Sequence, residues 1–306
     1  MLTVADLQGS RSRRRKESAM RTLFRGAALA SVLVSLLIVF VLVRGALNFL
    51  SAIDWDWGIL VDTGWYPRRS RFDLLTIVQG TLVMSVVAMV VAVPFGLGTA
   101  VYLSEYAPRR VRQIVKPVVE VLAGIPSVVV GFFVLSFVAP DIVNRFLDPT
   151  SPKTMLAAGI GIGILVIPIM ASVSEDAISA VPGSLREASY AVGARKVTTV
   201  VKVVLPAAVS GLVAAFIIAV SRAIGETLVA TMAGGYDGSG PRPGFSPLEP
   251  GMSMTAAMTS AAGGTDQVLG DAPKEVLFFV GLLLFMITLG LNLVGDRFVQ
   301  RVRQKY

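Results

Sequence analysis

Six uncharged apolar stretches limit this chain to one kind of architecture: Ala27–Val43, Leu74–Ser104, Val121–Pro140, Thr154–Ser174, Val203–Ser221 and Val276–Gly295. A helix needs about 20 apolar residues to cross the hydrocarbon of a bilayer. Inside lipid every backbone N–H and C=O must be satisfied internally, which leaves only helices and closed barrels. A barrel strand alternates apolar and polar residues, whereas these runs are continuously apolar. The fifth run continues past Arg222 and Glu226 to about Ala233. We therefore expect an all-α integral membrane protein with six transmembrane helices, spanning about 27–43, 74–104, 121–140, 154–174, 207–233 and 276–295. A chain that is 54% hydrophobic and only 16% charged agrees with this.

Lysine and arginine are concentrated on one side of these spans. With an inner N-terminus, the inner segments hold 19 of the 28 basic residues. Seven lie before residue 26, and four each lie in Ser104–Glu120, in Ser174–Lys202 and after Gly295. The positive-inside rule then puts both termini in the cytoplasm, although Arg68, Arg69 and Arg71 on the outer side run against the bias. The chain is therefore expected to be a multi-pass membrane protein. Residues 1–26 form a basic cytoplasmic tail. Its RSRRRK tract, Arg11–Lys16, stands beside the first span, so it reads as an orientation signal and anionic-lipid anchor rather than a nucleic-acid site. No small-residue cleavage site follows Ala27–Val43, so a cleavable signal peptide is not expected.

The chain has no Cys and no His. Thiol nucleophiles, disulfides, imidazole bases and Cys/His metal sites are excluded, and neither a cofactor nor a metal is expected. No G-x-x-x-x-G-K-[ST] loop occurs, so ATP cannot be bound by a P-loop in this polypeptide. If ATP drives its work, the ATPase is another chain.

Several features mark the spans and loops. Trp55, Trp57, Trp65 and Tyr66 in the first outer loop read as interfacial anchors, with a short interfacial helix around Leu50–Leu60. Pro94, Gly96 and Gly98 loosen the second span, as a packing device or a gating hinge. Gly124, Pro126 and Ser127 fall near the start of the third span, where Pro126 is expected to break the helix from within. Residues 234–275 form an outer loop whose first part is too rich in Gly and Pro for regular structure. Its second part, Met252–Ala262, is expected as a short helix against the membrane surface.

The loop 182–206 carries the most specific pattern. Pro182 ends the preceding segment, and Ser184 is expected to cap a helix starting near Leu185, with Glu187 completing a capping box. Gly193 offers a positive-φ break, Lys196–Val204 resumes helix, and Pro206 limits the helical bonding before it. Glu-Ala-Ser, a Gly six residues after the Glu, and a closing Leu-Pro resemble the "EAA" coupling loop of bacterial ATP-driven importer permeases. Glu187, Ala188, Gly193, Leu205 and Pro206 fit; Ser189 replaces the second Ala, and Val203 stands where Ile is usual.

A second cluster, Ser221–Thr227, reads SRAIGET. Arg222 and Glu226 are four residues apart, share a helix face and can pair. A charge inside the membrane is costly and faces the bundle interior or a water-filled path. One reading is an ion pair that only fixes packing; the other is an arginine that attracts an anion, its planar fork suited to a tetrahedral oxyanion. Arg222, Glu226 and Thr227 are the substrate-path candidates.

VYLSEYAP, KPVVEVLAGIPSVVVGF, LREASYAVGA, VVLPAAVSG and SRAIGETLVATM, in this order over about 72–303, resemble the permease subunits of the phosphate-specific ABC importer, the Pst system. The wording AGIPSVV and RAIGET is more like the PstC-type subunit than the PstA-type. The resemblance implies the type I ABC importer permease (MetI-like) fold and a heterodimer with a second homologous permease. It further implies two cytoplasmic ATP-binding subunits on the coupling loops and an extracytoplasmic phosphate-binding protein. Such a chain is no enzyme: it moves inorganic phosphate by alternating access while its partner hydrolyses ATP. Two other readings stay open, a permease for sulfate, molybdate or phosphonate, and a membrane scaffold for phosphate signalling.

Overall fold

The computed structural model describes residues 11–61, 64–67, 71–149, 151–235, 244–262 and 272–302. Arg68, Arg69 and parts of the outer loop 234–275 lie outside them, as do the side chains of Arg11, Arg13, Arg14 and Arg15. Among the described residues six helices are long and apolar enough to cross a membrane.

The first, α1 (Arg11–Ala52), is followed by a 3₁₀ turn at Trp57–Leu60 and a two-stranded hairpin of β1 (Trp65–Tyr66) and β2 (Arg71–Phe72). The hairpin is antiparallel, with Trp65 opposite Phe72. Trp65 is buried beside Phe72, while Trp55 and Trp57 are exposed. The expected interfacial role therefore does not hold for Trp65, which is core; its ring fills space under the hairpin. The expected helix at Leu50–Leu60 is replaced by the end of α1 and the 3₁₀ turn. Asp73 then caps α2 (Leu74–Val101): its carboxylate accepts from the N–H groups of Leu75 and Thr76.

α2 and α5 (Met155–Ser179) form the centre of the bundle. Half of the most apolar window of α2 and 61% of that of α5 are buried, against none of that of α1. Their close approach rests on glycine. A Cβ on Gly159 would lie 2.5 Å from Val87, and one on Gly163 would lie 2.8 Å from Val91. This i,i+4 small-residue pair brings the two backbones together, as tight membrane-helix packing requires. Gly96 meets Met170 and the Ile167 carbonyl in the same way, which makes it a packing glycine; Gly98 faces open space.

Between α2 and α5 run α3 (Arg109–Leu122) and α4 (Ser127–Phe133), which continues as a π-helix over Val134–Asn144 and a last turn at Arg145–Leu147. The third span thus starts at Ser127, not Val121. Pro126 stands at the cap of α4 with an extended ψ of 131° and not inside a helix. Its missing N–H falls where none is needed. After α5 come α6 (Gly183–Ala191) and α7 (Lys196–Thr199), a π turn at Val200–Val204 and α8 (Leu205–Ile224). The fifth span does not run unbroken to Ala233: it ends at Ile224 and resumes as α9 (Leu228–Ala233). α10 (Met254–Ala262) and α11 (Ala272–Val302) complete the chain, α11 packing on α1 so closely that Gly45 lies against Phe278.

Three widened turns fall beside prolines: Tyr102–Tyr106 just before Pro108, Val134–Asn144 around Pro140, and Val200–Val204 just before Pro206. Around Pro140 and before Pro206 the π geometry opens space that the proline ring would otherwise contest with a carbonyl four residues back, whereas Pro108 follows an extended Ala107 and caps α3.

Candidate functional site

The loop 182–206 folds as two short helices around Gly193. Pro182 is the cap of α6, which begins at Gly183, and no side chain caps it. Ser184 is therefore inside the first turn rather than the cap: with Pro182 as the cap the helix starts at Gly183, two residues earlier than expected. Gly193 has φ +80°, the left-handed conformation that favours glycine. Pro206 does not stop the chain: the π turn before it accommodates the ring, and the Leu205 N–H bonds the Val200 carbonyl five residues back. Ser189, the departure from the Glu-Ala-Ala wording, has a structural use. Its hydroxyl lies 2.9 Å from that of buried Thr199, joining α6 to α7. Glu187, Ala188, Tyr190, Val192, Arg195, Lys196 and Val197 are exposed, a face of one acid and two bases among largely apolar groups.

Behind this face lies an ionic network that the sequence reading did not single out. Arg186 pairs with Glu105 at 2.7 Å. Glu175, almost fully buried at the end of α5, pairs with Arg112 and with Lys116 of α3; Lys116 also reaches Asp176 at 2.8 Å. The hydrogen bonds to Asp176 and Glu175 hold the Lys116 ammonium above the usual lysine value. The signal was present: the apolar run of the fourth span stops at Ser174, one residue before Glu175, and Arg112 and Lys116 are spaced i,i+4.

At the other constellation the structure brings Arg222 and Glu226 together, with the guanidinium 2.9 Å from the carboxylate. Their surroundings differ from the expected unbroken helix. Arg222 is in the last turn of α8, Gly225 is its C-cap, and Glu226 and Thr227 form the break before α9. Glu226 is buried, while the Arg222 side chain is 46% exposed. A broken span frees backbone groups that need partners. One comes from α10: the Thr255 hydroxyl donates to the Glu226 carbonyl at 2.8 Å.

Met252–Ala262 does not lie on a membrane surface but enters the bundle. Met254, Thr255, Ala256 and Ala257 are buried, and the Met254 N–H donates to Thr81 at 2.8 Å. Gly80 of α2 makes the entry possible, because any Cβ there would overlap the Met252 carbonyl. The preceding loop caps α5, whose first N–H groups at Met155 and Leu156 bond the carbonyls of Glu249 and Pro247. The remaining candidates stay apart from this site: Pro94 is inside α2, and Gly124, Pro126 and Ser127 form the α3–α4 junction. No group of acidic residues among those described could hold a metal ion.

Residues 92–306 match the family described as "Binding-protein-dependent transport system inner membrane component". "Phosphate transport system permease protein PstC 1" of Mycobacterium tuberculosis is 32% identical over 84% of this chain and 82% of its own length. "Probable ABC transporter permease protein YqgH" of Bacillus subtilis is 30% identical over 92% and 90%. Among solved structures, a chain of a bacterial alginate ABC transporter in complex with an alginate-bound periplasmic protein aligns with TM-score 0.66 at 14% identity, covering 95% of this chain and 98% of that one. A chain of the inward-facing MetNI methionine ABC transporter aligns with TM-score 0.54 at 21% identity, covering 74% and 92%. These structural likenesses concern the fold.

Proposed function

The chain belongs to the binding-protein-dependent transport system inner membrane components, and from that membership we propose that it is the permease subunit that carries inorganic phosphate into the cytoplasm. It pairs with a second homologous permease. Two cytoplasmic ATP-binding subunits grip the exposed face of α6 and α7, and an extracytoplasmic binding protein delivers phosphate from the other side. Both termini and the loop 182–206 are cytoplasmic on the lysine and arginine count. The chain itself makes and breaks no covalent bond; ATP is hydrolysed by its partner.

One observation carries the assignment of cargo: a half-exposed guanidinium held at a helix break beside a buried carboxylate. Arginine presents parallel donors that match a phosphate oxygen pair. Pairing with Glu226 offsets part of its charge, so the site attracts an anion without trapping it. The relative named as a phosphate transport permease supports the same cargo. Pro94 and the Gly124–Ser127 junction are the proposed places where the second and third spans bend during alternating access.

Uptake of labelled phosphate tests this. Arg222→Gln at normal expression should lower uptake by at least tenfold, and Arg222→Lys by less; unchanged uptake would sink the assignment. Competition should be strong with unlabelled phosphate and weak with sulfate or molybdate. Glu187→Lys should release the ATPase from the purified complex.

A further inference from the structure

A loop that grips an ATPase moves membrane helices only if something ties the two together. We infer that Arg186 is that tie, a positioning residue that turns displacement of α6 into movement of α2 and α5. The inference rests on loop 182–206 being the ATPase-docking loop.

Arg186 is next to Glu187 in sequence but points the other way, its side chain only 20% exposed. The guanidinium makes four hydrogen bonds. Nε and Nη2 donate to Glu105 Oε1 at 3.1 and 2.7 Å, Nη1 to the Val181 carbonyl at 2.6 Å, and Nη2 to the Ile178 carbonyl at 2.9 Å. Glu105 belongs to the π turn that ends α2, and Ile178 is in the last turn of α5 with Val181 just beyond it. One side chain on the docking helix therefore holds the ends of the two central helices at once.

The chemistry makes this a stiff connection. Carbonyls at a helix C-terminus carry its negative end and favour a cation. The guanidinium is planar with donors in a fixed fork, so four hydrogen bonds to three acceptors set its orientation as well as its place. Glu105 is 5% exposed, and a buried carboxylate that lost its partner would be strongly unfavourable. The pair thus stays closed while its elements move, as a lever needs. α3 adds a second strap from the side, through Arg112 and Lys116 on Glu175.

The test uses the whole importer purified from its membrane and reconstituted in vesicles, reading ATP hydrolysed, phosphate taken up and ATPase retained. In Arg186→Gln the ATPase should stay bound and hydrolysis continue, while phosphate moved per ATP falls about tenfold, the scale of one charge-assisted hydrogen bond. Arg186→Lys should recover part of the ratio, restoring charge without the fork. Glu105→Gln should show the same drop, and the double variant no further loss, as residues acting through one contact do. An unchanged ratio in Arg186→Gln, or uptake and hydrolysis falling in parallel, overturns the inference. Should Arg186→Gln not accumulate, Glu105→Gln carries the same reading. Glu187→Lys separates the two ideas. If it leaves the ATPase bound, the docking reading fails; if it releases the ATPase while the Arg186→Gln ratio holds, only the tie fails.

Discussion

Single residues in this bundle matter most where a charge is buried on one side of a pair and open on the other. Removing Arg222 leaves the Glu226 carboxylate buried without its partner. Because Arg222 is half-exposed, the loss stays below the fully buried case, up to about 3 kcal/mol. Melting in detergent should show Arg222→Gln less stable than the parent, and Arg222→Gln with Glu226→Gln should regain stability while phosphate uptake stays low. The Lys116 pair behaves differently with pH. Its value in the folded state is raised, so its contribution is fully present below the ordinary lysine value of 10.5 and fades only as pH climbs through the raised one. Stability should therefore show no transition from Lys116 between pH 6 and 9, and a titration of the melting temperature checks this. The Arg222–Glu226 pair was legible in the sequence because i,i+4 spacing is a local property. The Arg186–Glu105 pair was not, since its partners are 81 residues apart and meet only through the packing of α2 against α5.

Elements were read well in their interiors and poorly at their breaks. Apolar length sets a span, so all six came out of composition. Breaks depend on which competing partner a freed backbone group finds, and those partners are distant. The fifth span ends at Ile224 with α10 inserted beside it, Thr255 bonding the Glu226 carbonyl. Nothing near residue 226 announces Thr255. The buried entry of α10 likewise depends on Gly80, far away in sequence. Gly80→Ala should push the segment out, seen as faster proteolysis of the outer loop and lost uptake. Gly193 gives a cleaner case, because a Cβ there meets nothing within 4 Å and only the φ of +80° resists it. Gly193→Ala should cost about 1 kcal/mol in backbone strain, Gly193→Asn less and Gly193→Val more, in order of left-handed tolerance. Co-purified ATPase should fall in the same order.

At the scale of the molecule, the chain is a tight α2–α5 centre with α1 leaning on it through α11. At 42 residues α1 is about 63 Å long, roughly twice the hydrocarbon thickness, so its basic end stands clear of the lipid. Because no native Cys is present, one introduced thiol reports its own side without background. Thiols at Lys16, Tyr190 and Arg301 should react with an impermeant reagent only in inside-out vesicles, and one at Trp57 only in right-side-out vesicles. A reversed pattern would invert the proposed topology. The three widened turns carry a record of another kind. A turn of π-helix holds about one residue more than an α-turn, so a chain can lose a residue there without rotating everything that follows by about 100°. Single-residue gaps among relatives should gather at 102–106, 134–144 and 200–204. At the last of these a deletion should be tolerated only when the proline at 206 is gone too, since closing the turn returns its ring to the carbonyl it now avoids.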